Sequence, residues 1–162
     1  MYTLGIDIGS TTSKCAVIKD GTELVATSLQ TGGLGTGGPE EALAALWSSS
    51  GLTASDMART EVTGYGRKNY EGADGEISEL TAHALGGRFV FPDLRTVIDI
   101  GGQDAKVIAL SPSGKMVNFV MNDKCAAGTG RFLEIMADRL GISQQQMADL
   151  ARSGEPTKIS SM

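Results

Sequence analysis

The 162-residue sequence contains two cysteines, one histidine and only 5% aromatic residues. Two cysteines exclude a disulfide framework, and two thiols cannot close a four-thiolate metal site within one chain. No apolar run approaches the roughly 18 residues that a membrane-spanning helix requires. The first residues lack the basic stretch and apolar core of a secretion signal. Together these absences favour a reducing, cytoplasmic setting without membrane contact.

Basic side chains are also outnumbered, with 14 Lys and Arg against 19 Asp and Glu and a formal net charge of −5. This acidic balance argues against nucleic acid as a partner. The hydrophobic content of 41% is nevertheless sufficient for a packed core, and the length is that of one ordinary domain.

Glycine is abundant, at 22 residues, and several glycines belong to an internal repeat. Residues 6–14 match residues 98–106, with Ile, Asp, Ile, Gly and Lys in register. Each copy continues as an apolar strand, a turn and a third strand, near residues 22–29 and 115–121. The sequence therefore predicts two copies of a strand, a glycine turn and two further strands.

Apolar periodicity and capping residues predict helices between and after the two copies. One predicted helix begins at Pro39. Three more are predicted near 76–87, at about 126–140 and at about 144–151. A short strand is expected near 61–63. Because the first copy and its helices occupy 94 residues and the second has only 68, residues 1–94 are predicted to form a complete lobe. Residues 95–162 are predicted to form the start of a second, incomplete lobe.

Each repeat places an aspartate at the end of a predicted buried strand, directly before a glycine turn. Backbone N–H groups in such a turn converge on an anion, and the carboxylate of Asp7 or Asp99 is suited to hold Mg²⁺ beside phosphates. Two facing turns would grip a polyphosphate from both sides. Two ordinary hairpins with Asp as a turn residue are the structural alternative.

A rival phosphate motif, Gly-x-Gly-x-x-Gly, spans residues 33–38 before the first predicted helix. Glu40 and Glu41 follow at once and would repel a pyrophosphate, and the preceding strand is not the first of a parallel crossover. We interpret residues 32–38 as a flexible loop.

The motifs together resemble a known group of ATPases. Residues 4–14 and 99–104 resemble the two phosphate motifs of the actin, sugar kinase and chaperone ATPase superfamily. Residues 122–132, Asn-Asp-Lys-Cys-Ala-Ala-Gly-Thr-Gly-Arg-Phe, are similar to the cluster-binding segment of activators of 2-hydroxyacyl-CoA dehydratases. These activators are relatives of the ATPase subunits of benzoyl-CoA reductase. Residues 63–67 and 79–84 also fit, so the resemblance spans the whole chain.

The resemblance implies an α/β, ribonuclease-H-like actin/sugar-kinase ATPase fold, with one complete lobe and a truncated second lobe. It also implies a homodimer that shares one [4Fe–4S] cluster and uses ATP, hydrolysed to ADP, with Mg²⁺. ATP hydrolysis would drive a conformational change, and one low-potential electron would pass to a dehydratase or reductase catalytic component. A ferredoxin- or flavodoxin-like protein would be the electron donor.

The resemblance assigns roles to matching residues. Asp7 and Asp99 would handle Mg²⁺ and its water, and Glu79 or Gln103 would orient the attacking water. The residues expected to bind the nucleotide phosphates are Gly9, Ser10, Thr11, Thr12, Lys14, Gly101, Gly102, Gln103 and Asp104.

Cys125 would ligate the cluster, and the predicted helix after it would favour its thiolate. A buried, inert thiol is the alternative for Cys125 and is our interpretation of Cys15. The family supplies a second cluster cysteine after an Ile-Ser-Ser-x segment, whereas this sequence ends with residues 159–162, Ile-Ser-Ser-Met. A dimer of this chain would supply two cluster ligands rather than four, and a longer native protein is expected.

Two other functions stay open at the level of sequence. One is a small-metabolite kinase or ATPase of the same superfamily without a cluster, and the other is a non-enzymatic nucleotide-binding module. Tyr65 and Arg67 are expected either near the nucleotide or in a turn. His83 is expected on a helix surface or in the core, and Asp104 either assists the second turn or pairs with Lys106.

Overall fold

The structure, a computed structural model, describes residues 1–123 and 129–157. The described residues form a mixed α/β fold with eight strands, four α-helices and two short 3₁₀ turns. The predicted fold class is therefore confirmed at this level.

The first sheet begins with three consecutive antiparallel strands, in agreement with the prediction. They are β1 (Tyr2–Ile8), β2 (Thr12–Lys19) and β3 (Glu23–Thr31). The turn between β2 and β3 has positive φ at both Asp20 (51°) and Gly21 (74°), which matches the right-handed twist of the two strands.

Two parallel strands complete this sheet on the other side of β1. They are β4 (Met57–Thr63) and β5 (Gly75–Glu76), and the strand order is β3-β2-β1-β4-β5. Strand β1 is therefore central, with β2 antiparallel on one side and β4 parallel on the other. Its carboxyl end, where Asp7 lies, is held on both sides.

Helix α1 (Gly38–Ser50) covers one face of this sheet. It carries Pro in its first turn and Glu40 and Glu41 near its positive end, as predicted. The core between α1 and the sheet contains Leu4, Ile6, Ile8, Cys15, Val17, Ala42, Leu46 and Val62.

Helix α2 (Glu79–Val90) begins three residues later than the predicted 76–87. The Ser78 hydroxyl accepts a hydrogen bond from the Thr81 backbone N–H, so Ser78 is the N-cap and fixes the start. Ile77, predicted on the helix, lies before it and donates its N–H to the Val62 carbonyl. The chain pairs with β4 at this point, and the helix cannot start earlier.

A second sheet contains β6 (Thr96–Ile100), β7 (Ala105–Leu110) and β8 (Met116–Asn122) in the order β6-β7-β8. Ile108 and Leu110 of β7 are buried with Ala84 of α2. All seven residues of β8 are exposed. The second sheet is thus much less covered than the first.

Two helices follow, α3 (Gly130–Leu140) and α4 (Gln144–Ser153). Thr129, directly before α3, has extended backbone angles, and residues 126–128 of the predicted helix lie outside the described residues. Gly141 ends α3 with φ of 67°, and Ser143 with Gln146 forms a capping box for α4, both as predicted.

The chain divides into two compact units. The first contains Met1–Ile98 and Lys106–Val120, and the second contains Asp99–Ala105 and the described residues from Met121 onward. Within residues 1–123 and 129–157, no helix is both long enough and apolar enough to cross a membrane.

Candidate nucleotide site

The first predicted phosphate turn connects β1 to β2. Gly9 donates its N–H to the Thr12 carbonyl at 3.0 Å, Gly32 donates to the Thr11 carbonyl at 2.8 Å and Leu34 donates to the Gly9 carbonyl at 2.9 Å. Three of the turn's carbonyl oxygens are therefore occupied by backbone donors. These bonds fix the backbone of the turn, and an anion would be bound by its remaining N–H groups and hydroxyls.

The glycine-rich segment at 32–38 holds this turn in place. A Cβ atom at Gly33 would overlap the Gly9 carbonyl oxygen, so only glycine permits this approach. The buried Ser13 hydroxyl donates to the Gly32 carbonyl at 2.8 Å. The interpretation of this segment as a flexible loop is wrong, because these bonds tie it to the first strand turn.

The Asp7 carboxylate lies beside this turn and has two close neighbours. Lys14 Nζ lies 3.0 Å from Asp7 Oδ2, and the two side chains are 41% and 31% exposed. This ion pair is solvent-accessible, so its net contribution to stability is at most about 1 kcal/mol. Gly64, with φ of 86°, lies against Asp7 Oδ1, where a Cβ atom would overlap the carboxylate.

Thr63 places a hydroxyl on the same side of the sheet as Asp7, because the two residues are paired in the parallel register of β1 and β4. Its Oγ1 is buried and has no hydrogen-bond partner among the described residues. A buried hydroxyl without a partner normally binds water or a ligand. Thr63 thus places a buried hydroxyl, unpartnered among the described residues, at the strand position next to Asp7.

The residues around Asp7 fit Mg²⁺. This ion keeps several waters and is commonly held by one or two carboxylates together with substrate phosphates. Among the described residues, no three His, Cys, Asp or Glu side chains cluster to form an all-protein metal site. Asp7 would thus contact Mg²⁺ directly or through water, and the phosphates would supply further oxygens.

Glu79, a predicted water-orienting residue, is the first residue of α2. Arg67 Nη1 lies 3.2 Å from Glu79 Oε2 and also donates to the Gly64 carbonyl at 2.9 Å. The Glu79 carboxylate is therefore connected through one guanidinium to the turn that rests against Asp7.

The second predicted phosphate turn repeats the local geometry of the first. Gly101 donates its N–H to the Asp104 carbonyl at 2.8 Å, which corresponds to the Gly9–Thr12 bond at the repeat offset. Gly130 donates to the Gly101 carbonyl at 2.9 Å, and Arg131 donates to the Gly102 carbonyl at 3.0 Å. The start of α3 therefore holds this turn.

The predicted site residues fall into two groups. Asp7, the residues of the first turn and Glu79 lie in the first unit, whereas Asp99 and residues 101–104 lie in the second. Within the second group, Asp104 is 4% exposed and Gln103 is exposed to solvent.

Of the two cysteines, only Cys15 lies among the described residues. Cys125, the predicted cluster ligand, lies outside the described residues. Cys15 is 3% exposed, and burial raises the pKa of its thiol to about 11. The prediction that Cys15 is an inert core residue agrees with this burial.

Sequence reasoning did not assign roles to Thr63 or Gly64 and left Arg67 undecided. All three belong to the Thr-Gly-Tyr-Gly-Arg segment that contributed to the resemblance. The motif therefore indicated that this segment matters, although it did not show what each residue contacts. The contacts that give these residues a role depend on β4 lying next to β1.

Comparison with known proteins gives this geometry a context. The model of the BadF/BadG/BcrA/BcrD ATPase family matches residues 4–162. The (R)-2-hydroxyglutaryl-CoA dehydratase activating ATPase of Acidaminococcus fermentans is 52% identical over 99% of this chain and 62% of its own length. The 2-hydroxyisocaproyl-CoA dehydratase activator of Clostridioides difficile is 48% identical over 96% of this chain and 58% of its own length.

A solved structure of the Clostridium difficile activator with bound ADPNP superposes with a TM-score of 0.93, at 48% identity, covering 99% of this chain and 60% of that chain. This chain thus spans about three fifths of the length of the curated relatives that it matches. The fold is that of the actin and sugar-kinase ATPases. With a family model that covers nearly every residue and two relatives near 50% identity, the chain belongs to the BadF/BadG/BcrA/BcrD ATPase family.

Proposed function

We propose that this chain is the nucleotide-binding part of an ATP-dependent activator of a 2-hydroxyacyl-CoA dehydratase or a related CoA-ester reductase. The observation that carries the proposal is the Asp7 turn. Asp7 lies at the end of the central strand β1, before a glycine turn that backbone hydrogen bonds hold in place, and its register partner Thr63 has a buried hydroxyl without a partner among the described residues. Family membership and a relative's structure with ADPNP support ATP as the ligand.

In the proposed reaction, a water oxygen bonds to the γ-phosphorus while the bond from that phosphorus to the β–γ bridging oxygen breaks. ADP leaves with the electron pair, and the proton of the water passes to the released phosphate or to solvent. Such reactions depend chiefly on positioning and on neutralising charge. Gly9, the hydroxyls of residues 10–12 and Lys14 would hold the phosphates, and Glu79 or Gln103 would orient the water.

The second turn is proposed to bind phosphate as the first does. The matching hydrogen bonds at Gly9 and Gly101 support an equivalent role, with Asp99 as the counterpart of Asp7. Residues 101–104 would then also contact phosphate. With these roles, residues 1–94 and 95–162 are proposed to belong to two ATPase lobes.

The second lobe is proposed to be incomplete. In the first sheet, β1 is flanked by β2 and by the parallel β4, whereas β6, its counterpart, is paired on one side in the strand order. Ile98 and Ile100 of β6 are 71% and 59% exposed. By analogy with β4, β5 and α1, further residues would add strands beside β6 and a helix over its exposed face, and the greater length of the relatives supports this.

Cys125 is proposed to supply one thiolate from each subunit of a homodimer to a shared [4Fe–4S] cluster. When bound, the cluster would supply one low-potential electron to the catalytic component of the partner enzyme. Two cysteines beyond the two Cys125 residues would be required. A ferredoxin- or flavodoxin-like donor and a cytoplasmic location complete the proposal.

The test uses the protein expressed from its complete reading frame and purified without oxygen. We expect a brown protein with about four iron atoms per dimer, as one [4Fe–4S] cluster requires. The Cys125→Ser variant should lose the iron and still bind ADPNP, and Cys15→Ser serves as the matched control. A colourless, iron-free protein that hydrolyses ATP would favour a superfamily kinase or ATPase without a cluster.

A further inference from the structure

We propose that Arg67 is a positioning residue that holds the Glu79 carboxylate in place for ATP hydrolysis. This inference rests on the proposed function, because it requires Glu79 to orient the attacking water. The guanidinium would act through Glu79 and would not itself contact the nucleotide.

A single nitrogen of Arg67 makes the bridge. Nη1 donates to the Gly64 carbonyl at 2.9 Å and to Glu79 Oε2 at 3.2 Å. The carbonyl is a fixed backbone atom, so the guanidinium has a defined position from which to hold the carboxylate. The contact to Glu79 joins two opposite charges, which strengthens a hydrogen bond relative to one between neutral groups.

The bridge is partly buried. The side chains of Arg67 and Glu79 are 26% and 19% exposed. The Arg59–Glu61 pair in β4 is more open, with side chains that are 59% and 32% exposed. Because solvent competes less at the Arg67–Glu79 pair, it fixes a side-chain position better than an ordinary surface pair.

The other end of the bridge reaches the candidate magnesium site. Gly64 lies directly against Asp7 Oδ1, and Gly66 donates its N–H to the Ile8 carbonyl at 2.9 Å. The turn that carries Arg67 is thus fixed to the end of β1. Arg67 therefore sets the position of Glu79 relative to Asp7.

The start of α2 does not depend on Arg67. Ser78 caps the helix through the Thr81 N–H at 3.2 Å, and Ile77 donates to the Val62 carbonyl at 3.0 Å. Loss of the guanidinium would leave the backbone of Glu79 in place and release only its side chain. The expected defect is catalytic, with the fold retained.

The experiment measures ATP hydrolysis and ADPNP binding for Arg67→Gln, Arg67→Lys and Glu79→Gln in the protein from the complete reading frame. For Arg67→Gln we expect kcat to fall by about 30- to 100-fold, because small displacements of positioned groups have effects of this size. KM for ATP and the affinity for ADPNP should change less than threefold. Arg67→Lys should recover part of kcat, and the Arg67→Gln/Glu79→Gln double variant should be no slower than Glu79→Gln alone.

Arg59→Gln is the matched control, since it removes an arginine from a more exposed pair outside the site, and its kcat should be unchanged. A crystal structure of Arg67→Gln provides a measurement that does not depend on activity. The Glu79 carboxylate should leave its position while Gly64 and the backbone of α2 stay.

Several results would overturn the role of Arg67. An unchanged kcat, an effect confined to KM or ADPNP affinity, additive losses in the double variant, or an unmoved Glu79 carboxylate would each do so. Failure of the proposed function has a different signature: the wild-type protein would not hydrolyse ATP at all. In that case the crystal structure alone decides whether Arg67 positions Glu79.

Discussion

The two copies of the internal repeat have the same local structure and very different surroundings. Ile6 and Ile8 in β1 are 1% and 4% exposed, whereas their counterparts in β6, Ile98 and Ile100, are 71% and 59% exposed. Strand β1 lies between β2 and β4, whereas β6 is the first strand in its sheet order. The repeat therefore specifies a turn, and neighbouring elements decide whether its strand is buried.

The two turns share one backbone hydrogen bond at equivalent positions. Gly9 bonds to Thr12 at 3.0 Å and Gly101 bonds to Asp104 at 2.8 Å. Their supports differ, because the first is held by Gly32 and Leu34 and the second by the start of α3. Local sequence thus produces the same turn hydrogen bond with two different sets of supporting contacts.

The strongest test of functional equivalence between the copies is to remove each aspartate. In the protein from the complete reading frame, Asp7→Asn and Asp99→Asn should each lower ATP turnover by at least about 100-fold, since each removes preorganised charge from the reaction site. Phosphate release is the measurement, and Asp93→Asn, in an exposed loop, is the control. Normal turnover in Asp99→Asn would show that only the first copy is functional.

Equivalent isoleucine substitutions in the two copies should have very different effects on the free energy of unfolding. Ile6→Ala should lower the free energy of unfolding by about 3 to 4 kcal/mol, because it leaves a cavity in the core. Ile98→Ala should cost less than about 1 kcal/mol in the 162-residue chain, because Ile98 is already exposed. Urea unfolding measures both values.

Ile98→Ala also tests whether the second lobe is incomplete in this chain. In the longer protein, Ile98→Ala should become substantially more destabilising if further residues pack on the exposed face of β6. An equally small effect in both lengths would argue against completion of that sheet.

Thiol reactivity compares the equivalent positions Cys15, 3% exposed, and Val107, 42% exposed. In a Cys125→Ser background, Cys15 should react with iodoacetamide at pH 8 about 100-fold more slowly than the cysteine introduced by V107C. The reason is that the thiolate is the reactive form, and burial raises the pKa of Cys15 to about 11.

The pH dependence of this reaction has a definite sign. A thiol with raised pKa stays protonated at neutral pH, so the alkylation rate of Cys15 should continue to rise with pH up to about 11. The rate of the cysteine introduced by V107C should be half-maximal near an ordinary thiol pKa of about 8.5 and level off about one to two pH units above it. Equal profiles for the two would contradict the difference in burial.

The smallest effect concerns glycines in the first unit. Gly64 and Gly21 both have positive φ, at 86° and 74°, but only Gly64 is crowded by its neighbours. Gly21→Ala should cost about 1 kcal/mol from backbone strain, and Gly64→Ala about 2 kcal/mol more from overlap with Asp7 and Ile8. Thermal or urea unfolding would measure the difference, and equal losses would mean that the turn adapts.

Much of the local structure could be predicted from the sequence. The repeat, with its apolar stretches and glycine turns, predicted β1 and β2, and Gly141 and the Ser143–Gln146 pair predicted the end of α3 and the start of α4. These features depend on neighbours within a few residues. The start of α2 was predicted three residues too early, because the pairing of Ile77 with β4 is a tertiary contact.

The candidate site also combines residues that the sequence could predict with contacts that it could not. Asp7, Gly9 and Glu79 could be proposed from motifs, because the chemistry of phosphate binding requires those residue types. The bridge from Glu79 through Arg67 to Gly64 could not be predicted, since it requires α2 and the end of β4 to meet. The fixed position of the glycine-rich segment at 32–38 was missed because its partners lie some 20 residues earlier.

By itself, the sequence determined the two glycine turns, their aspartates and the family resemblance, because these depend on residue type and short-range geometry. Only the tertiary structure decided that β1 is central, that Thr63 and Gly64 meet Asp7, and that Arg67 holds Glu79. Each of these depends on strands and helices from distant parts of the chain meeting to bury their apolar faces, which no local pattern specifies.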